Sequence, residues 1–189
     1  MPAERTRDTW DATKFKEAIL YVCQRSEADP RFGSVKLNKI LFYADFWAYL
    51  ELGHPITDAT YQHLAEGPAP REMLSCRAAL ESEGALRTED RRYHNRVQKR
   101  PVTLRGADTS HFDEQELRIL NEAVDALWQM DASDVSAKSQ EEWGWRVTRE
   151  GEDIPYSLAW LSPDPLSQEQ IKAAQLVWDR LHGTRTMSA

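Results

Sequence analysis

The sequence predicts a mainly α fold with a small antiparallel β-sheet or hairpin (α+β), in one compact domain that has room for winged-helix-like elements. Three observations predict it. Apolar residues recur at i, i+3, i+4 spacing in four segments, and a fifth is apolar nearly all round, the patterns of half-buried and central helices. Near residues 86–104 the period shortens toward two, as a hairpin requires. The chain has 189 residues, the size of one domain and enough to bury a sizeable core.

The elements follow in order. Residues 1–10 lack apolar periodicity and read as a flexible N-terminus; 11–182 read as the domain and 183–189 as a tail. Thr13 to Arg25 carries Phe15, Ala18, Ile19, Val22 and Cys23 on one helical stripe. Asp29 to Ser34 is a loop with Ser34 as the predicted N-cap. Val35 to Leu52 is the central helix, ended by Gly53 and His54-Pro55, the signals of a left-handed C′ residue and a stop. Its Asn38 and Asp45 fall within about 20° of each other on the helical wheel, so a carboxylate there is hydrogen-bonded in the core or lines a partner groove. Thr60 to Leu64 reads as a short strand, and Gly67-Pro68-Ala69-Pro70 as a turn with Pro70 at the first position of a helix, Arg71 to Glu83. Gly84 closes that helix. Leu86–Glu89 and Val97–Leu104 read as a hairpin with a charged turn at 90–95. Asp113 caps a helix running to about Met130, with Glu114 and Glu116 complementing its dipole. Ser133 caps a short helix to Ser139, an aromatic irregular stretch follows, and Ser167 caps a final helix to Leu181.

Composition excludes several classes. No stretch approaches the roughly 20 apolar residues of a membrane helix, and the charged N-terminus is not a signal peptide. The expectation is a cytoplasmic protein. Cys23 and Cys76 make neither a disulfide framework nor a metal site and read as buried small hydrophobes. There is no phosphate loop, dinucleotide fingerprint, zinc motif or nucleophile elbow, so no enzyme activity, cofactor or metal is expected. The net charge of −7 disfavours a nucleic-acid binder, but it is unevenly laid out: residues 85–107 hold seven bases and two acids, whereas 108–169 hold fifteen acids and four bases.

Two features stand out as candidate surfaces. The basic hairpin, with Arg91, Arg92, Arg96 and Arg100, reads as a solvated tip, as the wing of a winged helix on phosphate, or as a patch for a protein partner. The helix before it argues against the wing, since its acids repel phosphates. Seven tryptophans are many for this length. Trp47, Trp128 and Trp178 sit on helix stripes and read as core; Trp143, Trp145 and Trp160, with Tyr156, form a secondary core cluster or anchor a partner.

Lys36-Leu37-Asn38-Lys39-Ile40-Leu41-Phe42-Tyr43-Ala44-Asp45 resembles the "KLxKLLYFAD" signature of the Panacea (SocA-like) antitoxin domain. Gly53-His54-Pro55-Ile56-Thr57 resembles its "GRPIT", Ala59-Thr60-Tyr61 and Gly67-Pro68-Ala69-Pro70 its "A-x-Y…GPxP", and Gly144-Trp145 with Ile154-Pro155-Tyr156 its "GW…IPY". The resemblance runs from about residue 34 to 161, with one departure: Gln140 stands where many members carry histidine. It implies the antitoxin half of a bacterial or phage toxin–antitoxin pair, a protein without cofactor that neutralises a toxin encoded next to it by direct binding. A proteolytic adaptor, with a protease or chaperone as further partner, is the minor alternative. A DNA-binding regulator of its own operon is the alternative that the hairpin alone suggests.

Overall fold

The most apolar segment of the chain forms its central helix. In the computed structural model, which describes residues 10–161, α2 (Ser34–Leu52) buries Leu37, Ile40, Leu41, Phe42, Ala44, Phe46 and Ala48 on nearly every side. Gly53 ends it in the left-handed conformation, φ 80°, as its lack of a Cβ allows. Around α2 stand α1 (Ala12–Arg25), α4 (Glu114–Leu127) and α5 (Ala132–Gln140). Each presents the stripe its periodicity marks: Phe15, Ile19 and Val22 from α1; Ile119, Leu120, Val124 and Leu127 from α4. Trp47 and Trp128 pack partly buried against this core.

The caps explain where these helices start. Asp11 accepts from the Thr13 and Lys14 amides. Asp113 and Glu116 form a reciprocal capping box at α4. Two predicted caps are corrected. Gly33, not Ser34, precedes α2, and the Ser34 hydroxyl donates to the Lys99 carbonyl 3.0 Å away in the hairpin. Asp131, not Ser133, caps α5, because its carboxylate reaches both the Ser133 and Asp134 amides.

Between α2 and the hairpin lie β1 (Tyr61–Gln62) and β2 (Ala69–Pro70), an antiparallel pair. Pro70 is therefore a strand residue, and α3 (Met73–Ser82) starts three residues later than its position predicts. The hairpin is longer than predicted: β3 (Leu86–Tyr93) pairs with β4 (Arg96–Thr103), so 90–93 are strand. Their charges looked like a turn, but Asp90 lies opposite Lys99 and pairs with it at 2.8 Å. The turn is only His94-Asn95, with His94 at φ 52°, a left-handed state that histidine enters more readily than most residues.

The aromatic stretch is also more regular than predicted. Trp143–Val147 forms a short helix, α6, and Tyr156–Trp160 a 3-10 turn. Residues 1–9, the predicted final helix with Ser167 and Trp178, and the tail lie outside the described residues. None of the described helices is long and apolar enough to cross a membrane.

Candidate functional site

The polar residues of α2 face inward and hold loops. Asp45 is fully buried. Its carboxylate accepts from the amides of Ile56 and Thr57 at 2.9 and 2.8 Å, the Thr57 hydroxyl at 2.5 Å and the Tyr61 hydroxyl at 2.8 Å. The segment after Gly53 and strand β1 are thereby fixed to the helix. Burial pushes Asp45 up to about 6 against the pull of these hydrogen bonds. Asn38 shares the stripe but not the network; it is half-buried, and its Oδ1 has no partner among the described residues.

The two signature lysines are buried as well. Lys36 pairs with buried Asp29 at 2.5 Å and donates to the Trp128 and Met130 carbonyls, which joins the α1–α2 loop to the α4–α5 link. Lys39 donates to the Pro68 carbonyl at 2.8 Å, and burial lowers it to about 7. Gly67 lies against it with φ 89°; a Cβ there would strike the Ser139 hydroxyl and the Lys39 ammonium, so both backbone and space require glycine. The Gln140 side-chain amide donates to the Ala65 carbonyl at 2.7 Å, tying the end of α5 to the same loop. Leu37 is fully buried in the core, and buried Tyr43 has its phenol pushed above the usual range by burial and the nearby Glu142.

The four hairpin arginines do not act together. Arg91, Arg92 and Arg96 are exposed, and Arg91 pairs with Glu89 at 3.0 Å. Arg100, expected as a contact residue, is instead turned inward. It is 3% exposed and donates to the carbonyls of Ser26, Glu27, Asp29 and Phe32. That places its fork where loop carbonyls converge, and leaves none of it for a partner.

The aromatic set divides similarly. Trp145 stacks on His63, centroids 4.2 Å apart, and donates to the Leu64 carbonyl. Tyr156 donates to the Ala59 carbonyl at 2.6 Å and packs on Phe46. Trp143 is half-buried beneath Arg146, whose guanidinium lies 4.8 Å from its ring centroid. Trp160 alone of the four is well exposed, at 63%, next to exposed Leu161. Pro155 precedes this turn, and the Ile154 amide reaches the Tyr61 carbonyl at 2.7 Å.

The outer face of α3 offers Leu74, Ser75, Ala78 and Glu81, and Arg71 before it is paired with Asp153 at 2.5 Å. A recognition helix needs donors for base edges and phosphates; this face offers the Ser75 hydroxyl, which is given to the Glu72 carbonyl. Cys23 and Cys76 are free and buried, and burial raises both thiols, Cys23 to about 12; neither is primed as a nucleophile. No group of metal-ligating side chains occurs among the described residues.

One feature had no sequence signal. A cleft of about 500 Å³ lies between the hairpin tip, the loop entering α2 and the start of α5. Arg31 sits in its wall, in a stretch that reads from sequence as a plain connection.

The family model described as "Antitoxin SocA-like, Panacea domain" matches residues 37–146, more than half of the chain. The match includes the loops that Asp45 and Lys39 hold and ends just past Trp145. No curated protein and no solved structure matches. Lys39 and Asp45, which pin loops to the central helix, lie inside the matched span, and the chain belongs to the SocA-like antitoxin family with the Panacea domain.

Proposed function

We propose that this protein is an antitoxin that neutralises a cognate toxin by direct protein–protein binding, covering the toxin's active or substrate-binding face. The observation that carries the reading is the family match over residues 37–146. The inward orientation of the signature residues supports a division of labour in which α2 builds the fold and recognition is left to outer surfaces. The surfaces best suited are the exposed hairpin arginines Arg91, Arg92 and Arg96, and the end of the aromatic segment at Trp160. Arginine and tryptophan are the residue types that dominate interface energetics. Trp143, Trp145 and Tyr156 serve that second surface as its packed support.

Co-expression with the product of the adjoining reading frame tests the reading. That product alone is expected to arrest growth; with this protein present, growth returns and the two chains copurify. A product that is harmless alone, or that forms no complex, overturns it.

A further inference from the structure

Three elements distant in sequence meet around the cleft of about 500 Å³: the hairpin tip, the loop before α2 and the first turn of α5. Its charge is lopsided, with Arg31, Lys36, Arg96 and Lys99 against the single acid Asp131, and Lys36 is already paired with Asp29. Lys99 is engaged with Asp90, and Asp131 is engaged in capping α5. The side chains of Arg31 and Arg96 have no hydrogen-bond or ion-pair partner among the described residues. Tyr93, directly opposite Arg96 in the register and so on the same face of the hairpin, adds an aromatic surface beside it. No side chain caps α2 where it opens into this space, so the positive end of its dipole adds to the same field.

We propose that this cleft seats an extended acidic segment of the cognate toxin, with carboxylates on Arg31 and Arg96 and an apolar side chain against Tyr93. The proposal rests on the antitoxin reading above. Free guanidinium forks suit carboxylates, which they bind in bidentate fashion. The volume is that of a site for a few side chains. A protein fits better than a nucleic acid, because phosphate tracking needs extended rows of cations, whereas the unpaired cations here, among the described residues, are two, Arg31 and Arg96. The chain's own last twenty residues hold three bases and one acid, the wrong sign for this site.

The test uses the full chain, with the product of the adjoining reading frame as probe. Arg31→Glu/Arg96→Glu is expected to keep the thermal midpoint of the free protein, weaken the complex at least 30-fold and abolish growth rescue. Tyr93→Asp, on the same face as Arg96, is expected to weaken it at least tenfold without reversing an arginine. Arg87→Glu, on the same hairpin but outside the cleft, is expected to stay within threefold. The cleft assignment is overturned if the double variant binds like wild type, or if Arg87→Glu weakens the complex as much. It is also overturned if the double variant loses only self-association, or only binding to a 20-base-pair DNA duplex, and keeps the toxin complex. If wild type itself neither binds nor rescues, the antitoxin reading falls and the cleft assignment falls with it.

Discussion

Lys39 is buried with a carbonyl for its hydrogen-bond partner, and keeping it charged there is costly. Its folded value is about 7 against an ordinary 10.5. Between those values the unfolded chain binds more protons than the folded one, so this residue makes stability rise with pH, by up to about 1.4 kcal/mol per unit. Asp45 works in the opposite direction. Its value is raised from 3.8 to about 6; between them the folded chain binds more protons, and stability falls as pH rises through that window. Together the two groups place a stability minimum between about 6 and 7. Urea unfolding from pH 4 to 9.5 is expected to show it, with Lys39→Met flattening the upper limb and Asp45→Asn the lower. An unchanged upper limb in Lys39→Met means that Lys39 is not the titrating group. That Asp45 is either hydrogen-bonded in the core or lines a groove was legible from its place on an apolar helix; the structure selects the first. Its partners at residues 56, 57 and 61 were not legible, because a hydrogen bond between a helix and a loop leaves no period in the sequence.

At the scale of elements, the hairpin is two things joined end to end. Its base is fastened: Leu86 is buried, Arg100 holds four carbonyls of the α1–α2 loop, and Arg77 of α3 reaches Ser34 and Thr88. Its far half, Asp90 to Arg96, touches chiefly solvent and its own partner strand. Arg100→Ala is expected to cost about 3 kcal/mol, since buried carbonyls lose a charged donor, whereas Arg92→Ala is expected to stay within about 0.5 kcal/mol, as exposed substitutions do. Chemical denaturation of both variants checks this; equal midpoints would return Arg100 to the surface. Helix α1 was legible from its stripe alone and α4 from its Asp113 cap and stripe together, although α4 ends at Leu127, short of the predicted Met130. The hairpin's extent was not legible: eight-residue strands rich in arginine and acid lack the composition of strands, and what the structure adds is the cross-strand pairing, with Asp90 on Lys99. Arg100 misled for the same reason, because nothing in a run of basic residues marks the one that turns inward.

The molecule as a whole is electrically two-faced, with a basic hairpin beside an acid-rich α4–α5 region under a net charge of −7. Complementary charge speeds encounter more than it tightens the final complex. Raising salt from 50 to 500 mM is therefore expected to slow association with the toxin by about tenfold or more, as the Debye length shrinks from about 14 to about 4 Å, and to alter dissociation far less. Stopped-flow mixing at several ionic strengths measures both rates; association indifferent to salt would remove charge steering from the account. Most of the fold's class was legible because it lives in local periodicity, while the cleft was not, because it exists only once residues 31, 96 and 131 are brought together. The fastening at Arg100 has an outcome beyond stability. With the base of the hairpin secured to the α1–α2 loop, its tip can change residue by residue at little cost to folding, so a lineage could exchange one adversary for another by rewriting a handful of exposed letters and leaving its scaffold alone.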